Sequence, residues 1–163
     1  MKRLSWALAT ASLAIALATL PVAAAGNPGR VFAPVGDVVI DFCDIAGSHV
    51  TGPILAHATI NREYAKTFTS RNGTVRVAIN GRLVTTFTRL ETGQSVTLNT
   101  SGPGTITFYP AGNVTIVGRG LSGVANSTGI RIYAGRLDID PATGSVLTTS
   151  AGHQKTDVCA LLS

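Results

Sequence analysis

The sequence has few of the residues that catalysis and metal binding use. It contains 3 histidines and 2 cysteines, and charged residues make up 13% of the chain. The cysteines do not form the close Cys-x-x-Cys pair that activates a thiol, and no serine lies in a Gly-x-Ser-x-Gly elbow. We therefore predict no catalytic residue, no metal site and no cofactor.

A long apolar run is also absent after residue 25, so no later segment is expected to span a membrane. The one apolar run covers residues 4–20, follows a short basic start and precedes small residues up to Ala25. This is the pattern of a signal peptide, with cleavage expected after Ala25. It predicts a secreted protein, extracellular or associated with the cell envelope.

Charge of either sign is sparse. Without Lys2 and Arg3, 11 basic and 8 acidic residues remain, which gives a net charge of +3. The arginines occur singly along the sequence, with no stripe that would follow a phosphate backbone, so we predict that nucleic acid is not a partner. A small ligand and an envelope component both stay open as partners.

No stretch after residue 25 has a sustained helical period, whereas Thr, Val and Ile recur between Gly, Asn and Pro. This pattern predicts an all-β fold, an antiparallel meander that forms a small barrel or sandwich. We expect one domain over residues 37–163, preceded by a flexible segment over 26–36. The first strands are predicted at 38–45 and 53–70, the second across a bulge.

Turn residues divide the remainder of the chain. Asn-Gly occurs at 72–73 and at 80–81, which predicts two consecutive hairpins. A long loop is expected at 118–129, and it is the first place to look for a ligand. Short strands are predicted at SVTLN, TITFY, VTIVG, IRIYAG, RLDID and SVLTT.

Cys43 and Cys159 are expected to form a disulfide, because an even pair of cysteines in a secreted chain is most simply a bond. The bond would close a separation of 116 residues and join the first and last strands. That link explains why the second cysteine stands so near the end of the chain.

Two arrangements of the histidines stay open as alternatives. Ser48 or Ser122 with His49 and Asp44 would form a triad, and His49 and His57 with Asp41 or Asp44 would form a metal site. Neither spacing matches a recognised catalytic or metal-binding motif, so ordinary surface histidines are the preferred interpretation.

An extracellular hydrolase or isomerase with its site in a barrel mouth is the main enzymatic alternative. Two carboxylates that converge in one cleft, or His49 or His57 with a carboxylate there, would favour it. Asp138 and Asp140 precede a glycine as in a calcium loop, but other ligands are missing, so we predict a turn that Asp140 begins and Gly144 shapes. The candidate carboxylates are Asp37, Asp41, Asp44, Glu63, Glu91, Asp138, Asp140 and Asp157.

Two further binding surfaces stay open as alternatives. Arg76, Arg89 and Arg131 alternate with apolar residues and would either bind an anion or be solvated. A carrier of a small apolar ligand would need a cavity lined by aromatic residues, which are scarce enough that we expect them to fill the core. These aromatics are Tyr64, Phe68, Phe87, Phe108 and Tyr133.

Several stretches resemble a family of small secreted two-cysteine β-proteins of high-GC Gram-positive bacteria. They are the signal peptide, DFCDI at 41–45, the stretch from NGRLVTTFTRLETG to NVTIVGRGL at 80–121, and the final DVCALL. The family has no assigned activity, so the resemblance implies no catalytic or binding residue. A non-enzymatic role in binding or at the envelope is therefore the leading hypothesis.

Overall fold

A computed structural model describes residues 29–40, 43, 52–126, 129–147 and 150–163. No helix in these residues is long and apolar enough to cross a membrane. The elements are β1 Val31–Phe32, β2 Val38–Ile40, β3 Ile54–Thr69, β4 Val75–Arg89, β5 Ser95–Asn99, β6 Gly104–Phe108, β7 Val114–Gly118, β8 Leu121–Asn126, β9 Gly129–Ala134, β10 Leu137–Ile139, β11 His153–Asp157 and α1 Val158–Leu161.

The strands form two antiparallel sheets. The larger one has the order β1-β3-β4-β6-β7-β10, with β2 also beside β3 and β5 also beside β4, and the smaller one has the order β11-β9-β8. The all-β antiparallel meander is thus confirmed, and two sheets of this kind fit a sandwich.

The β3–β4 hairpin is the longest pairing in the molecule. The predicted Asn72-Gly73 turn closes it, with Gly73 at φ +82° and the Thr74 amide donating to the Asn72 side chain at 3.1 Å. The predicted bulge in β3 is also present, between Ala58 and Ile60. Turn chemistry and alternation therefore fix this hairpin locally.

The second predicted hairpin, at Asn80-Gly81, is wrong. Both residues lie inside β4, where Gly81 pairs with Glu63 and Asn80 with Tyr64. A side chain at position 81 would collide with the backbone carbonyl of Arg62. Here β4 also changes its other neighbour, from β6 at Val75–Ile79 to β5 at Val84–Thr88. The glycine therefore permits close strand approach rather than a reversal.

The long loop predicted at 118–129 is also wrong, because β8 occupies most of it and pairs with β9. Gly120, at φ +74°, makes the turn that precedes β8. Gly123 has no side chain and so interrupts the alternation of apolar and polar residues along β8, which makes the sequence pattern of this strand irregular. The other short strands lie close to their predicted places, except SVLTT at 145–149. Of this stretch the structure describes 145–147, where Val146 forms a bridge with Ile139.

The main core joins the β2–β3–β4 end of the larger sheet to β9 and α1. The Cys43–Cys159 disulfide lies within it, with Cα atoms 5.5 Å apart. The predicted bond is present, but Cys43 follows β2, the second strand, and Cys159 lies in α1, so the bond joins the segments that follow β2 and β11 rather than the first and last strands themselves. The buried cluster consists of Ile40, Cys43, Ile54, Phe87, Ile130, Ile132, Val158, Cys159 and Leu162.

The segment before the domain is in part ordered against it. Val31 and Phe32 of β1 pair with Ala65 and Tyr64, inside the segment that the sequence predicted to be flexible. The predicted signal peptide lies outside the described residues. Of the strand predicted at 38–45, the structure describes β2 and Cys43.

Candidate functional site

His57 is the one histidine of the two proposed arrangements that the structure describes. Its Nδ1 lies 2.7 Å from Oδ1 of Asp37, and both side chains are 55% exposed. Ser122 lies in β8 on the smaller sheet, while Ser48, His49, Asp41 and Asp44 lie outside the described residues. The two described members of these arrangements, His57 and Ser122, thus lie on different sheets, and His57 instead contacts Asp37 on an open surface.

The described carboxylates are dispersed over the molecule. No group of three or more potential ligands that could hold a metal occurs among the described residues. Asp140 begins a turn as predicted, and hydrogen bonds from the Ala142 amide and the Thr143 hydroxyl lower the pKa of its carboxyl. Three others pair with arginines: Glu91 with Arg89, Asp138 with Arg136 and Asp157 with Arg131.

The three arginines for which an anion-binding patch was one of two alternatives are separated. Arg89 is mostly buried and donates to the carbonyl of Leu162 at 3.4 Å, and Arg131 lies 3.7 Å from Asp157. Arg76 lies near the opposite end of β4 from Arg89. They do not form one anion-binding patch.

The aromatic residues divide between the core and the surface. Phe87 is buried, as predicted. Tyr64 and Phe68 are 37% and 36% exposed, so the expectation that they fill the core is wrong for these two. Both lie on the face of β3 opposite to Glu63 and Ala65, which are buried.

Along that outer face, β3 presents Arg62, Tyr64, Lys66 and Phe68, because alternate residues of a strand share a face. Strand pairing adds residues of β1 and β4 and the preceding Arg30, with Phe32 beside Tyr64 and Arg76 beside Phe68. We call this surface the basic–aromatic face. Its residues are Arg30, Phe32, Arg62, Tyr64, Lys66, Phe68, Arg76 and Arg82.

Cations on the basic–aromatic face lie over its rings. The Arg30 guanidinium carbon is 4.8 Å from the centre of the Tyr64 ring, and Arg30 also donates to Oδ1 of Asn80 at 2.6 Å. Lys66 and Arg76 lie 5.2 Å and 4.9 Å from the centre of the Phe68 ring. These contacts hold long, exposed side chains in defined positions.

The basic–aromatic face carries one sign of charge. None of its five cations forms an ion pair with a described carboxylate, because the described ion pairs all involve other residues. Glu63 belongs to β3 but lies on the buried side, where burial raises the pKa of its carboxyl. The face is therefore a concentrated positive surface on a chain of modest net charge.

A row of hydroxyl groups continues the same side of the sheet beyond the bulge. The Thr86 hydroxyl lies 2.6 Å from that of Thr59 and 2.9 Å from that of Thr97, across β3, β4 and β5. Thr88 and Ser95 form a second such contact at 2.9 Å. These hydroxyl groups lie on the same face as the exposed His57–Asp37 pair, because His57 is opposite Thr86 in the strand register.

A shallow groove of about 470 Å³ lies at the β7–β10 edge of the larger sheet. None of the five aromatics proposed to line a carrier cavity contributes to it. An Arg136–Asp138 ion pair at 3.0 Å stands among its otherwise largely apolar walls. The lining residues are Tyr109, Val114, Thr115, Ile116, Val117, Arg136, Asp138, Ile139, Pro141 and Leu147.

Sequence reasoning missed the basic–aromatic face because it considered the cations by their separation along the chain. Arg62 and Arg82 are 20 positions apart in sequence, yet the hairpin register places them directly opposite each other. The alternation Arg-x-Tyr-x-Lys-x-Phe at 62–68 was the available signal.

No protein-family model, curated protein or solved structure matches the chain.

Proposed function

We propose that the chain is a secreted, non-enzymatic binding domain that attaches to an anionic glycopolymer of the bacterial cell envelope. One observation carries the proposal: five cations share the basic–aromatic face, and no described carboxylate pairs with any of them. A surface of one charge sign raises the local concentration of an oppositely charged polymer and speeds its association.

Export is supported by two independent features. Residues 1–25 have the basic start, apolar run and small-residue end of a signal peptide. The chain also has a buried disulfide, a bond that persists in oxidising compartments. Together with the resemblance to secreted bacterial proteins, these features support a ligand outside the cell.

The shape of the face favours an extended, flexible polyanion over a nucleic acid. Unstacked bases bind to open aromatic rings, whereas cations already lie over the Tyr64 and Phe68 rings. A groove of duplex DNA admits a helix or a two-stranded ribbon, whereas this face extends over β1, β3 and β4. Sugar hydroxyls of a longer polymer can reach the hydroxyl groups of Thr59, Thr86 and Thr97.

Binding to defined polymers tests the proposal. The protein purified from culture supernatant is titrated by calorimetry with two acidic oligomers, polygalacturonate and poly(glycerol phosphate), and with neutral dextran. We expect at least one acidic oligomer to bind, with an affinity that falls as salt is added. Dextran is expected not to bind.

Two lysine variants serve as a matched pair. Lys66→Gln removes one charge from the basic–aromatic face, and Lys155→Gln removes one from β11 on the other sheet. We expect the first to weaken binding about fivefold, the equivalent of about 1 kcal/mol for an exposed charge contact. Equal effects of the two variants would contradict this use of the face.

Single-stranded DNA and vesicles containing equal parts phosphatidylcholine and phosphatidylglycerol test the ligand class. Tighter binding of either one than of the acidic oligomers would overturn the proposed ligand class.

A further inference from the structure

Arg62 and Arg82 are paired directly across the β3–β4 hairpin, and both are exposed. In an antiparallel sheet such partners have Cβ atoms about 4.5–5.5 Å apart, and like charges placed there destabilise the pairing. The neighbouring pair, Glu63 and Gly81, brings the two backbones close together without a second side chain between them. The register of the hairpin therefore keeps Arg62 and Arg82 opposite each other on the same face.

Nothing in the described part of the chain compensates this repulsion. The side chain of neither arginine has a hydrogen bond or ion pair among the described residues. A third cation approaches as well, because Arg30 is held by Oδ1 of Asn80 at 2.6 Å. Asn80 is two residues from Arg82 on the same face, about 7 Å along the strand. Positive charge is thus concentrated around the Arg62–Arg82 pair.

We infer that Arg62 and Arg82 together hold one phosphate group of the bound polymer. A planar carboxylate frequently uses both of its oxygens on a single guanidinium in a bidentate contact. A tetrahedral phosphate directs its oxygens to more than one side, so it can accept hydrogen bonds from two guanidinium groups that approach from neighbouring strands. This inference rests on the proposed function and names the anionic group of its ligand.

The test compares a phosphate polymer with a carboxylate polymer. Poly(glycerol phosphate) and polygalacturonate oligomers of equal charge are titrated into the wild-type protein and the variants Arg62→Gln, Arg82→Gln and the double variant. We expect either single variant to weaken binding of the phosphate oligomer about tenfold, as for loss of a charge-assisted contact. The affinity of the double variant for the phosphate oligomer should be at most about twofold lower than that of either single variant, since one arginine alone cannot bridge the phosphate group. Binding of polygalacturonate should change less than about twofold.

The stability of the unbound protein gives a second readout. Each single variant should melt at a higher temperature than the wild-type protein at low salt, and the difference should shrink at high salt, because the substitution relieves repulsion between like charges. Lys155→Gln is the control and should show neither effect. A lower melting temperature for both single variants would contradict the repulsive pair.

The binding outcomes separate this inference from the proposed function. Equal losses for both oligomers would overturn the phosphate assignment while leaving an acidic polymer as the ligand. Unchanged binding of the phosphate oligomer to both variants would overturn the role of the pair, again leaving the proposed function standing. Failure of the wild-type protein to bind either oligomer would overturn both.

Discussion

Removing the Cys43–Cys159 disulfide should lower the stability of the protein substantially. The bond closes a separation of 116 residues, and in the chain-entropy model a loop of this length stabilises the folded state by about 5 kcal/mol. Both cysteines are buried, so Cys43→Ala with Cys159→Ala removes the bond without placing a hydroxyl group in the core. For a domain of this size, about 5 kcal/mol corresponds to a fall in melting temperature of about 15 °C or more.

Thermal unfolding followed by circular dichroism measures the change, and urea unfolding gives the free energy. We expect the double variant to bind the acidic oligomers as the wild-type protein does below its melting temperature, because the bond lies in the core and not on the basic–aromatic face. As a control, the wild-type protein is unfolded, reduced and refolded in reductant. Its melting temperature and free energy of unfolding should then match those of the double variant. A fall of only a few degrees would refute the reasoning that this bond restrains the unfolded chain.

Two further substitutions test the β3–β4 hairpin. Gly81→Ala should lower the free energy of unfolding, measured in urea, by at least about 2 kcal/mol, because a Cβ there collides with the Arg62 carbonyl. The control Gly93→Ala, at φ +72° with open space around it, should lower the free energy of unfolding by about 1 kcal/mol. Equal losses for the two variants would contradict the close approach of the strands. Burial raises the pKa of Glu63 above its usual 4.5, so its contribution to stability is present at acid pH and lost as the pH rises through the folded-state value. Glu63→Gln should therefore have the same melting temperature as the wild-type protein at low pH and a higher one at neutral pH. The control Glu91→Gln, which removes an exposed partner of Arg89, should not show this gain. A Glu63→Gln variant no more stable than the wild-type protein at neutral pH would count against the burial of Glu63.

Local chemistry made much of the fold predictable. The Asn72-Gly73 turn, the bulge in β3 and the two-residue alternation along β3 each depend on residues close together in sequence. The disulfide was predictable because the chain has only two cysteines. Asn80-Gly81 misled because the same dipeptide serves a turn and a close approach of strands, and only the tertiary pairing decides between them.

The basic–aromatic face could not be predicted in the same way. Its cations come from Arg30 and from two strands whose register sets which residues meet. A shift by one residue would have moved Arg62 or Arg82 to the buried side. The exposure of Tyr64 and Phe68 likewise depends on which side of the sheet the rest of the chain covers, and composition alone does not determine that side.

The most direct test of the central claim is a map of the binding surface. Amide NMR spectra of the isotopically labelled protein are recorded while poly(glycerol phosphate) oligomer is added and, in a separate titration, while polygalacturonate oligomer is added. The account predicts that the shifts concentrate at residues 62–68 and 76–82, with little change in β8, β9 and β11. Shifts concentrated on the smaller sheet or in the β7–β10 groove, or no shifts at all with either acidic oligomer, would contradict it.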